Sequence, residues 1–269
     1  MKIQFIYPQW GSTHLSISEF FDKVKRSGYD GVEMGLPLDK QECKELFNIA
    51  NGFGLKIVAQ HYHTEDSGFK LHKASFEKHL YSFAESEPLL INSHTGKDFF
   101  SYKQNAELLI LANRIEQETG VPIIHETHRS RFSYAAHVCK KYLEEFPFLK
   151  ITADLSHWCC VAESMLSDQK DAVEKAIFHT HHVHARIGSS QTAQVIDPRI
   201  ENFEGEVLQF KKWWTQMIES AKKRKLSFLT FTPEYGPAPY QQVHPSTKEF
   251  LADQWEVNEF ITSELKSLL

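Results

Sequence analysis

A chain of 269 residues can bury one large core, and 41% hydrophobic with 24% charged residues excludes a disordered or fibrous protein. The formal net charge of −5 argues against a dedicated nucleic-acid binder. No run approaches the roughly 20 apolar residues that span a bilayer, so neither nucleic acid nor membrane is an expected partner.

KIQFIY (2–7) predicts a first strand, and ISEFFDKVKRSG (17–28) a helix that begins after a serine cap and stops at glycine. GVEM (31–34) is a second strand, followed by the helical KQECKELFNIANGFG (40–54) with the same glycine stop. KIVAQ (56–60) and LLINS (89–93) supply strands three and four. AELLILANRIEQETG (106–120) then places Leu108, Leu109, Leu111, Ala112 and Ile115 on one helical face. PIIHE (122–126) is strand five, FSYAAHVCKKYLEEF (132–146) a helix and KITADL (150–155) strand six. FHTHHVHA (178–185) is strand seven, and LQFKKWWTQMIESAKKRK (208–225) is a helix whose terminal KKRK complements the helix dipole. LSFLTFTPE (226–234) is strand eight, and WEVNEFITSELKSLL (255–269) closes the chain.

Strands alternating with helical segments over residues 1–269, with no linker, predict an α/β fold: a single-domain (β/α)8 TIM barrel of parallel strands with right-handed crossovers. An open doubly wound sheet would carry a glycine-rich phosphate turn after strand one, and QWGSTHLS is not one. The N-terminus reads as that strand and not as a secretion signal. Cys43, Cys139, Cys159 and Cys160 lack the spacing of a zinc clip or disulfide framework, so reduced thiols in a cytoplasmic protein are expected.

Barrel active sites sit at the C-terminal strand ends, and unusual polar residues gather there. His61 and His63 follow strand three, and His94 and Lys97 follow strand four. Glu126 ends strand five, Asp154 and His157 strand six, His182, His184 and Arg186 strand seven, and Glu234 strand eight. Three buried carboxylates converging on one point need a cation. A divalent metal held by Glu126, Asp154, Glu234 and the neutral imidazole of His184 would satisfy that need. Glu126 to Asp154 and Asp154 to His184 each span one βα unit. The interval to Glu234 is a unit lengthened by the loop 188–206, a candidate lid or specificity element. A lone acid at a strand end is more often a helix cap or surface ion pair; four ligand types in register on consecutive strands shift that balance. His182 reads as structural and His179 and His181 as packing residues, while Glu33, ending strand two, is a further candidate to face the site.

HETH, ADLSHW, HVHARIG and TPEYGP, in this order on strands five to eight, resemble the xylose isomerase-like TIM barrels of the sugar phosphate isomerase and epimerase type. The resemblance covers the whole chain and is most specific in its second half. It implies one divalent ion on Glu126, Asp154, His184 and Glu234, with the two glutamates doubling as proton-transfer bases. It also implies a site histidine three residues after the aspartate, which is His157, and an arginine beyond the strand-seven histidine. Arg186 follows His184 by only two residues, a closer spacing than the family's.

The chemistry so implied is isomerisation or epimerisation of a sugar or sugar phosphate by proton transfer through a metal-stabilised enediolate. His61, His63, His94, Lys97, Arg186 and Arg199 are the candidate substrate contacts, the three cations being candidates for a phosphate or carboxylate. Mn²⁺, Mg²⁺, Co²⁺, Fe²⁺ and Zn²⁺ all suit such a ligand set. Barrels of this kind often pair as homodimers. Two alternatives stay open: an apurinic-endonuclease-like phosphodiesterase, and a sugar-binding barrel without turnover. The first would need an Asp-x-His pair after strand seven, where this chain has Asp197 and Arg199.

Overall fold

The computed structural model describes residues 1–269 and holds eight parallel strands hydrogen-bonded in chain order into a closed barrel. The strands are β1 (Lys2–Pro8), β2 (Gly31–Met34), β3 (Lys56–His61), β4 (Leu90–Ser93), β5 (Ile123–Glu126), β6 (Ile151–Ala153), β7 (Thr180–Ala185) and β8 (Phe228–Pro233). The helices are α1 (Ile17–Arg26), α2 (Lys40–Phe53), α3 (Phe69–Ala84), α4 (Tyr102–Thr119), α5 (Ala136–Glu145), α6 (Leu155–Ala162), α7 (Lys170–His179), α8 (Glu204–Lys223) and α9 (Gln254–Lys266). None is long and apolar enough to cross a membrane.

Helix ends follow local chemistry. Ser16 and Glu19 form a reciprocal capping box at the start of α1. Gly120 ends α4 at φ +74°, a backbone conformation that costs a glycine nothing.

Periodicity does not single out three of the helices. The inner stripe of α3 is His72, Phe76, Leu80 and Phe83, so a buried histidine interrupts the apolar repeat; its Nδ1 lies 3.0 Å from the Asp66 carbonyl. The β6–β7 crossover carries the other two, α6 and α7. Phe178 and His179, predicted as strand, form the end of α7 instead.

Side-chain alternation along each strand decides what reaches the interior. Ile6, Val58, Leu90 and Ile124 pack together as an apolar plug inside the lower barrel. The main core, 63 buried residues, lies between the strands and the surrounding helices. Two residues above the plug the interior turns polar: Asn92 follows Leu90 and Glu126 follows Ile124, joined by Thr152 and His182, which pair in register. The β6–β7 register slips between Ile151, opposite Thr180, and Thr152, opposite His182. His181 is thus the extra residue of a bulge. Above the slip, His182, His184 and Arg186 share the inward parity.

Candidate metal centre at the barrel mouth

Continuing that alternation, β5, β7 and β8 deliver Glu126, His184 and Glu234 to the interior, and Asp154 follows β6 as the N-cap of α6. Its carboxylate accepts from the Ser156 amide at 3.0 Å. All four side chains are buried, and one donor atom from each lies within 4.8 Å of the others. His184 Nδ1 is 2.7 Å from Glu234 Oε2 and 3.5 Å from Glu126 Oε2. Neither His184 Nδ1 nor Glu234 Oε2 has a partner in hydrogen-bond geometry. Glu234 Oε2 meets only the ion pairs of His184 and Arg186, and His184 Nδ1 points at carboxylates without a directed hydrogen bond, an arrangement that suits ligands of a shared cation.

Charge points the same way. Glu33, Glu126, Asp154 and Glu234 are all buried here, and Arg186 is the one fixed cation among them. Arg186 Nε lies 3.1 Å from Asp154 Oδ2, and Nη2 lies 2.7 Å from Glu234 Oε2. Burial, reinforced by Glu234 and Glu126, pushes the Asp154 carboxyl up to about 6 even though Arg186 opposes it. Burial also disfavours charge on His184 and Glu126, but neighbours overrule it. Glu234, Glu33 and Glu126 raise His184 well above the usual imidazole range, and His94 and His184 hold Glu126 well below the carboxylate range. The surrounding carboxylates thus favour positive charge at the position of His184. Three carboxylates and one imidazole, short of positive charge, fit a divalent ion of the hard to borderline kind.

Above the centre opens a cavity of about 380 Å³. Glu126 and Glu234 line it, whereas Asp154 and His184 lie beneath. The walls include Trp10, Gln60, Tyr62, His94, His128, Arg186 and Tyr240.

No family model and no curated protein matches this sequence. Solved structures do. D-allulose 3-epimerase from Methylomonas sp. superposes with a TM-score of 0.66 at 13% identity, over 100% of this chain and 98% of that one. A xylose isomerase-like TIM barrel protein from Mycobacterium smegmatis, in complex with magnesium, gives 0.66 at 11% identity over 99% and 97%. Endonuclease IV from Thermus thermophilus gives 0.63 at 12% identity over 98% of each chain. The shared fold is the (β/α)8 TIM barrel.

Within this TIM barrel the other predicted site residues divide. His94 lines the cavity, with Nε2 2.9 Å from Glu126 Oε2. Arg186 also lines it, already paired as described, with Nη1 donating to Gln194 Oε1 at 3.2 Å. His157 is fully buried behind the wall, with its ring against His128 at a centroid distance of 4.0 Å and Nε2 3.6 Å from Asp154 Oδ2. Both its ring nitrogens lack hydrogen-bond partners. It touches the edge of this four-residue cluster but not the cavity.

Four assignments need correction. His61 and His63 have outward parity and face α3. The His61 ring bonds Ser93 Oγ at 3.0 Å and Thr64 Oγ1 at 2.8 Å, and His63 stacks on His79. Their inward neighbours Gln60 and Tyr62 line the cavity instead. Lys97 is turned out by the β4–α4 loop, where its amide donates to Asn105 Oδ1, and its side chain is outside the lining. Arg199 is exposed, bound to Asp197 at 2.9 Å and to Glu256 of α9 at 3.0 Å.

Sequence reasoning missed Trp10 and Tyr240 because they come from irregular loops without a strand-end signature. Arg186 carries a visible trace of them: its guanidinium lies 4.7 Å from the Tyr240 ring centre and 5.5 Å from that of Trp10.

Proposed function

We propose that this chain is a divalent-metal-dependent isomerase or epimerase of a small sugar. The observation that carries the reading is the convergence of Glu126, Asp154, His184 and Glu234 under a cavity into which only the two glutamates reach. The ion, when bound, supplies Lewis acidity to substrate oxygens and balances the acids. Glu126 and Glu234 descend from β5 and β8, so they meet a substrate from different sides. One carboxylate removes a proton from carbon next to the carbonyl, and the other returns a proton to the opposite face or the neighbouring carbon. His94 and Asn92 hold Glu126 in place at 2.9 and 3.2 Å, and Arg186 holds Glu234. Trp10, Tyr62 and Tyr240 offer apolar faces to the C–H side of a polyol.

Arg186 is the only lysine or arginine in the lining and is already paired, which favours an unphosphorylated sugar over a sugar phosphate. The phosphodiesterase reading gains nothing from Asp197, whose carboxylate is occupied by Arg199. The test is deuterium incorporation from heavy water into a panel of ketoses, aldoses and their phosphates by the Mn²⁺-loaded protein. Exchange with free sugars, lost in Glu126→Gln and Glu234→Gln, is expected. A metal-loaded protein that exchanges no member of the panel contradicts turnover and leaves a binding barrel.

A further inference from the structure

Glu33 sits inside the barrel on β2, 2% exposed, below the metal centre. Its carboxylate is saturated. Oε1 accepts from Asn92 Nδ2 at 2.8 Å and from His184 Nε2 at 2.9 Å, while Oε2 accepts from Thr232 Oγ1 at 2.6 Å and from His182 Nε2 at 3.1 Å. Thr152 Oγ1 donates to Asn92 Oδ1 at 2.7 Å, which turns the Asn92 amide so that its NH2 faces Glu33 and Glu126; Nδ2 also lies 3.1 Å from His184 Nε2, but its two hydrogens are taken by the two carboxylates. A buried carboxylate that accepts on both oxygens from four donors is held as an anion of fixed direction.

The consequence falls on His184. A neutral imidazole carries its proton on one nitrogen and its lone pair on the other. A carboxylate at Nε2 selects the tautomer whose lone pair is on Nδ1, the nitrogen that faces Glu126 and Glu234. We propose that Glu33 is the positioning residue of the metal centre, orienting His184 and fixing its tautomer so that Nδ1 is presented to a divalent cation. This rests on His184 being a ligand, as the functional reading holds. Thr232 Oγ1 makes its shortest hydrogen bond to Glu33, and an apolar residue at position 33 would fill the barrel without requiring a hydroxyl there.

The experiment is calorimetric titration of Mn²⁺ into metal-free wild type, Glu33→Gln and Thr232→Val, each shown to be folded by circular dichroism. Thr232→Val removes a donor from the far oxygen and leaves the His184 contact intact. Glu33→Gln is expected to bind Mn²⁺ about 10–100-fold more weakly than wild type, and Thr232→Val, which keeps the carboxylate and its His184 contact, to lose clearly less. Unchanged affinity in Glu33→Gln, or an equal loss in Thr232→Val, overturns the positioning role while the metal centre stands. A wild type that binds no Mn²⁺ overturns the metal centre and this role with it. Should Glu33→Gln not fold, nitrogen-detected NMR of the Zn²⁺-loaded wild type decides. Zinc on Nδ1 of His184 with a proton on Nε2 supports the role; zinc on Nε2 overturns it.

Discussion

Removing Arg186 should make the fold depend on metal. Its guanidinium is 2% exposed and lies between Asp154 and Glu234, at 3.1 and 2.7 Å, with Glu126 and Glu33 close by. Arg186→Gln leaves two buried acids without their cation, a loss of about 3–5 kcal/mol when one partner of a buried pair is removed. In a chain of this size that should lower the melting temperature of the metal-free variant by roughly 6–20 °C. Asp154, already pushed up to about 6, protonates more readily without the arginine, so the deficit should shrink toward acid. A divalent ion at 100 times its dissociation constant returns about 2.7 kcal/mol. The variant should gain more than wild type, because the arginine no longer competes for the acids. Scanning calorimetry in chelator and in excess Mn²⁺ measures both terms. A variant that melts with wild type in chelator, or a deficit that Mn²⁺ leaves untouched, refutes the reasoning.

Two further outcomes are expected. Burial, with Lys150 adding, pushes the His125 imidazole down to about 3, so it is neutral in the folded chain. An unfolded histidine takes its proton near 6.5, so the folded state keeps the full benefit above about 6.5 and loses it as pH falls toward 3, at about 1.4 kcal/mol per pH unit within that window. The urea midpoint should therefore drop between pH 7.5 and 5, and a flat profile would count against a neutral buried ring. Lys97→Ala and Arg199→Ala should leave sugar exchange unchanged, whereas Gln60→Ala should weaken it; a loss in either cation variant would return phosphate recognition to those residues.

The barrel is readable because the strands are short apolar runs, most of them with polar residues at or just past their upper ends, and because α1, α2 and α4 are followed by glycine stops. Helix α3 is not, since His72 occupies a core position and satisfies itself on a backbone carbonyl. The four converging donors can be named because β5 to β8 each end in a ligand-type residue. The errors at His61 and His63 have one cause: the end of strand three carries no assigned parity, and a single-residue offset exchanges Gln60 and Tyr62 for the two histidines. Val58, one strand layer below, could have set that parity, because it belongs to the same inward row as Leu90 and Ile124. Lys97 and Arg199 are misplaced for a different reason: they lie on loops, and ion pairs across loops, such as Arg199 with Glu256, leave no periodic trace. Glu33 can be named as a candidate, but its four donors come from β4, β7 and β8 and converge only once the barrel closes.

The most direct measurement is anomalous scattering at the zinc edge from crystals soaked in Zn²⁺. One peak per chain should lie about 2.0–2.2 Å from carboxylate oxygens of Glu126, Asp154 and Glu234 and from Nδ1 of His184. Crystals that show no peak between these four residues, with Arg186 still bridging Asp154 and Glu234, would contradict a metal centre in this barrel.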